Sequence, residues 1–368
     1  MKRRDLLRRG VLSSVSMLAA PMINRNRFQL FARSPKEYSA RTIELVGSSL
    51  VIDMLGLITL DWAKLAGWHE APSTFTRADF QKLKASGIDV FHPAVDLAGK
   101  KPYEATIKWI RSWNALLVAH NNYFVAVSNA DDLSRARREG KIGIVLGMQN
   151  SDHFLKISDV RFFHRLGQRL SQLTYNARNL IGNGCTERHD TGLTEYGASV
   201  VGEMNSVGMA IDVSHAGERT TLDAFAASTK PVLVTHSNCR ALSGHPRCKS
   251  DVVIKSLGSH GSVMGITGIR TFVYDREPVT IQHVLDHYDH VARLVGVEHL
   301  GLGSDTDLEG RDQRFAKGRT RFDIGGLDHP KRVYDLTEGL VQRKYSNRSI
   351  EMILGLNFER VLSEIWPA

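Results

Sequence analysis

The chain has 368 residues, 42% hydrophobic and 24% charged, with a formal net charge of +9 and three cysteines. That apolar content excludes a disordered chain, and three cysteines with no Cys-x-x-Cys spacing exclude a disulfide-built scaffold. Lys2, Arg3, Arg4, Arg8 and Arg9 against Asp5 give the first segment +4, which leaves a modest +5 for the rest. The basic clusters Arg135–Arg138 and Lys317–Arg321 lack interleaved aromatics and read as solvated faces, so no nucleic-acid partner is expected.

In chain order, Arg3-Arg4-Asp5-Leu6-Leu7-Arg8 matches the twin-arginine export pattern, and the uncharged stretch Gly10 to Ile23 is too short to span a bilayer comfortably. Residues 1–24 read as an export leader and the protein as periplasmic. Leu18-Ala19-Ala20-Pro21 lacks a clean cleavage ending, so an uncleaved N-terminal membrane anchor stays open. Residues 40–368 read as one domain. Strand-like apolar runs follow at Leu50–Asp53, Gly87–His92, Lys141–Gly147, Leu170–Asn176, Met209–His215, Pro231–His236, Gly261–Thr267 and His299–Asp305. Near-continuous apolar runs suit strands buried on both faces of a parallel sheet. Helical periodicity lies between them at Ala198–Val207, Leu222–Ala227 and Thr280–Val295. Eight strands with helix-length spacers, and no Gly-x-Gly-x-x-Gly after the first, predict an α/β fold of the (β/α)8 TIM-barrel type rather than an open doubly wound sheet.

His215 and His236 close two consecutive runs, which places two imidazoles at neighbouring strand ends, where a metal site can form. Other residues allow weaker readings. His92 reads as a packed strand-end histidine, Asp53 as an anchor for backbone donors, and Asp307 as a loop-positioning residue. Cys185–Asp190, in the loop after the fourth run, could shape a pocket or bind metal without any recognised zinc spacing. Cys239 and Cys248 could pair or remain thiols.

From Ile43 to Trp366 the chain resembles the membrane dipeptidase (renal dipeptidase, peptidase family M19) branch of the amidohydrolase-like barrels. The segments that carry the likeness are Gly208–His215, Pro231–Asn238, His245-Pro246-Arg247, Gly301–Asp307 and Ile353–Leu362. The resemblance implies a zinc-dependent dipeptidase or small-amide hydrolase. It makes His215 and His236 metal ligands, Arg247 the fork for a substrate carboxylate and Asp305 the general base beside the attacking water. The departures matter as much. The family's Asp-Gly-His-x-Asp is Asp53-Met54-Leu55-Gly56-Leu57 here, so two ligands are leucines. The bridging glutamate is replaced at Gln149, whose amide oxygen can serve only one metal, and a carbonyl-polarising histidine by Tyr175, still a donor, with Asn176 beside it as a substrate-binding candidate. One zinc ion is therefore expected rather than two, with a dipeptide or related small-molecule substrate; a homodimer stays open. The competing reading is a dipeptidase-like scaffold that has lost peptidase activity and binds a small ligand or assists maturation of a peptide-derived metabolite.

Overall fold

The structure is a computed structural model that describes residues 27–30, 36–97, 99, 101–309 and 323–366; the leader and the Lys317–Arg321 cluster lie outside these. The barrel region contains β1 (Ile52–Asp53), β2 (Val90–Phe91), β3 (Phe124–Ala126), β4 (Ile142–Ile144), β5 (Gly147–Met148), β6 (Leu170–Gln172), β7 (Ala210–Asp212), β8 (Val234–Ser237), β9 (Met264–Ile266) and β10 (Leu300–Leu302), all but β3 within the predicted apolar runs or at their ends. Parallel pairing runs β8–β9–β10–β1–β2–β4 and, separately, β5–β6–β7. Single bridges Asp212–Leu233 and Val95–Met148 join these arcs, so β4 and β5 are two halves of one stave and eight staves close the barrel.

β3 is a ninth strand, outside that circuit, which the sequence reading does not contain. It pairs in parallel with β4, through Phe124–Ile142 to Ala126–Ile144, on the edge opposite β2, the same edge of the split stave along which β5 pairs with β6.

The ladders are shorter than the apolar runs because polar side chains lead the backbone out of the sheet. Asp212 Oδ1 accepts from Ser214 N (3.0 Å) and Ser214 Oγ (2.6 Å), so β7 ends at Asp212 and His215 sits on a turn three residues further on. His236 lies within β8.

Between strands the helices begin at polar caps. Thr194 caps Glu195–Val207 by accepting from Gly197 N, four residues before the periodicity becomes visible, and Thr280 with His283 forms a capping box for Ile281–Val295. The last helix, Asn357–Ile365, packs Phe358, Val361 and Leu362 against Leu50, Leu170, Leu233 and Val263 at the strand starts. That seals the end opposite the rim where the candidate residues gather. Cys185, Cys239 and Cys248 are all free thiols, the second of the two cysteine readings.

Candidate active site

Asp212 organises the histidine pair from below. Besides Ser214 it accepts from Thr235 N (3.0 Å) and Thr235 Oγ1 (2.7 Å). With its proton given to Asp212, the Thr235 hydroxyl accepts from His236 Nδ1 at 2.8 Å. His215 Nδ1 donates to Asn176 Oδ1 at 2.7 Å. Both imidazoles therefore carry their proton on Nδ1 and present an Nε2 lone pair, and the two Nε2 atoms face each other at 3.1 Å. Two lone pairs at that separation repel unless a cation lies between them. Donors ~2.0–2.1 Å from one tetrahedral ion stand about 3.3 Å apart, close to the spacing here. Burial, and then the Arg247 charge, hold His215 well below the usual histidine range, so it stays neutral, as a ligand must be.

Depth is set by glycines. A Cβ on Gly265 would lie 2.1 Å from Thr235 O and one on Gly303 only 1.9 Å from it, so β8 can press inward only because its neighbours carry no side chain there. The turn bearing His215 is pinned by Lys249, a buried lysine whose Nζ donates to Val213 O (2.7 Å) and Ala216 O (2.9 Å); burial lowers its pKa to about 7.

Above the pair opens a cavity of about 540 Å³, lined among others by Gln149, Tyr175, Asn176, His215, Arg247 and Asp305, with His236 directly behind His215. The structure thus brings all seven candidate residues together. The Tyr175 ring stacks on His215, with centroids 4.1 Å apart. Gln149 Nε2 donates to Ala94 O (3.0 Å), which fixes the orientation of the amide at the cavity wall. Asp305 and Asn176 hold left-handed backbone at φ 52° and 57°, which short polar side chains tolerate best, and each follows a strand at the rim.

Two placements differ from expectation. Asn176 is a substrate-binding candidate in the sequence, yet its side-chain oxygen is committed to orienting His215. Arg247 does more than face the cavity: its Nη1 donates to Ser214 O and its Nη2 to His236 O (2.8 Å), tying the two histidine segments together, while Nε is buried without a partner.

The weaker readings resolve as well. His92 is buried with Nδ1 bonded to Met54 O at 2.8 Å. Asp53 accepts from Ser304 N (2.8 Å) and pairs with Arg332. Asp190 accepts from Arg219 N (2.7 Å) and Thr220 Oγ1 (2.9 Å), so in the Cys185–Asp190 loop it serves as a cap for helix Glu218–Ala227.

The metal-donor atoms that the cluster offers are the two facing imidazole nitrogens. Leu55 and Leu57 occupy the positions after β1, and among the described residues no group of three or more His, Cys, Asp or Glu side chains is arranged to hold a metal. Sequence reasoning missed Thr235, Asp212 and Lys249, although Asp212 and Thr235 stand within the two histidine runs. It also missed the cavity wall of Leu60, Trp62, Ile269 and Phe272, for which no sequence signal exists because the wall is assembled from loops after different strands.

A closed (β/α)8 barrel with its polar cluster at the strand ends defines the amidohydrolase-like class. Within it, the chain belongs to the membrane dipeptidase family: the family model for Membrane dipeptidase (Peptidase family M19) matches residues 41–366. Dipeptidase tcpJ of Claviceps purpurea is 34% identical over 240 residues, 64% of this chain and 54% of that protein. Dipeptidase verJ of Clonostachys rogersoniana is 30% identical over 280 residues, 74% of this chain and 69% of that protein. The chain thus spans about half the length of the first relative. A solved amidohydrolase from Pseudomonas aeruginosa superposes with a TM-score of 0.77 at 29% identity, covering 88% of this chain and 99% of that one. A metallopeptidase from Rhodobacter sphaeroides, liganded with a phosphinate mimic of the dipeptide L-Ala-D-Ala, shares the fold at TM-score 0.71 and 18% identity, over 86% of this chain and 99% of that one.

Proposed function

We propose that the chain is an exported, periplasmic hydrolase of dipeptides or related small amides that uses one zinc ion. The observation that carries this reading is the facing Nε2 pair of His215 and His236, each with its Nδ1 proton fixed by a separate acceptor. These two side chains would hold the ion, with Gln149 Oε1, at the same cavity, as a neutral candidate for a further ligand. Bound there, a divalent ion lowers the pKa of water and polarises a carbonyl.

The chain's own groups supply the rest. Asp305, at the rim beside β10, takes the proton as the nucleophile adds to the amide carbon and returns it to the departing amine. The Tyr175 phenol is the donor for the oxygen on which negative charge develops. Arg247, at the cavity wall, supplies the positive charge for a substrate carboxylate while its Nη groups hold the histidine segments.

The test is reconstitution with excess zinc followed by elemental analysis, together with a panel of L,L- and L,D-dipeptides in free-acid and carboxyl-blocked forms. About one equivalent of zinc and cleavage of free acids alone is the expected result. Zinc bound with no dipeptide cleaved would replace the proposal with the non-peptidase scaffold, a reading that the leucines at positions 55 and 57 favour.

A further inference from the structure

Barrel order sorts the cavity wall into two arcs. The loops after β5, β6, β7 and β8 contribute Gln149, Tyr175, Asn176, His215 and Arg247, all polar. The loops after β9, β1 and β2 contribute Ile269, Phe272, Leu57, Leu60, Trp62 and Val95, all apolar. The charged groups on this second side, among the described residues, are Asp305 between β9 and β1, and Asp96, whose carboxylate accepts from Asn150 Nδ2 at 3.2 Å. Trp62, at the start of helix Trp62–Glu70, is 50% exposed at the cavity wall, while Leu57, Leu60 and Val95, which line the same cavity, are buried.

Around eight staves, the Arg247 loop after β8 lies opposite the loops after β1 and β2. A substrate with its carboxylate at Arg247 therefore directs its other end to the apolar arc. Resting on the hydrolase reading above, we infer that this site selects dipeptides, or N-acyl amino acids, with a bulky apolar group on the amino side of the scissile bond, seated against Leu57, Leu60, Trp62 and Val95. An exposed indole gains most from being covered by hydrocarbon. An acidic group there would meet the Asp96 and Asp305 carboxylates and be rejected.

The experiment measures kcat/KM for Phe-Gly, Leu-Gly, Gly-Gly and Asp-Gly with the zinc-loaded protein and with Trp62→Ala, a variant that removes a half-exposed ring and spares the core. Phe-Gly and Leu-Gly should exceed Gly-Gly by at least about ten-fold, the gain expected for seating one large apolar side chain, with Asp-Gly lowest. Trp62→Ala should shrink the Phe-Gly to Gly-Gly ratio several-fold. Equal rates across the series, or a ratio that Trp62→Ala leaves unchanged, would overturn the inference. Isothermal titration calorimetry with hydrolysis-resistant reduced-amide analogues of Phe-Gly and Gly-Gly separates this from the hydrolase reading. If no dipeptide is cleaved, tighter binding of the Phe analogue that is lost in Trp62→Ala retains the apolar subsite and removes only the peptidase activity. Equal binding of the two analogues removes the subsite.

Discussion

The rim after β7 and the rim after β1 begin alike, with a buried aspartate at a strand end that folds the following turn onto itself. After β7, Asp212 accepts from Ser214 and Thr235, and through Thr235 it fixes the ring of His236. After β1, Asp53 accepts from Ser304 N, Ser304 Oγ (2.6 Å) and Leu55 N, and pairs at 3.1 Å with Arg332, but the residues on its turn are leucines. One arc has both the anchor and the imidazoles that it positions; the other has the anchor alone. The same kind of anchored turn thus carries imidazoles on one arc and leucines on the other, so the anchoring frame does not depend on the side chains it presents.

The largest expected effect sharpens the functional arc. Asp305→Asn should retain zinc in elemental analysis yet lose about 100- to 10,000-fold in turnover, because an amide cannot accept the proton. If it stays near parent activity, Asp305 is not the base. Next comes the structural arc. Arg332→Leu removes the partner of a buried carboxylate and should cost about 3–5 kcal/mol in urea unfolding, with the zinc content of the surviving folded protein unchanged. Loss of zinc in proportion to stability would show that the two arcs are not independent.

A smaller effect concerns the link between anchor and ligand. Thr235→Val deletes the hydroxyl between Asp212 and His236, and competition with a chelator should show zinc affinity down by about 10–100-fold with little change in Tm.

The smallest belongs to a histidine on neither arc. His153 is buried against Phe163, donates from Nε2 to Gln168 Oε1 at 3.0 Å, and burial lowers its pKa from 6.5 to about 3. Because the folded value lies below the unfolded one, its stabilising contribution is intact above pH 6.5 and is lost as pH falls toward 3. At pH 5 that loss is about 2 kcal/mol relative to pH 8, and His153→Gln should flatten this part of the stability profile in denaturant titrations at the two pH values.

The barrel was legible because strands covered on both faces write contiguous apolar runs, and the histidine pair because both rings close such runs. β3 was overlooked since Phe124–Ala126 pairs only with half of a split stave and adds nothing to the count of eight. Asp53 could be read as an anchor, but its partner Arg332 lies 279 residues away and no local pattern announces it. The role of Arg247 in binding Ser214 O and His236 O is invisible for a related reason: a guanidinium that bonds backbone carbonyls leaves no complementary residue type in the sequence. For the same reason Arg247→Ala is a poor probe of substrate binding, since it would loosen both histidine segments, and the carboxyl-blocked substrate is the cleaner one.

Gly265 and Gly303 have a consequence for how relatives of this chain are interpreted. Neither has a side chain to offer the site, yet a methyl group on either would collide with the carbonyl of Thr235 and drive the His236 strand outward. A homologue that retains both histidines, the arginine and the aspartate, but carries any side chain at these two positions, would hold every catalytic letter and still lack the site. Inventories of ligands alone would count it as active; two empty spaces in the adjoining strands would tell otherwise.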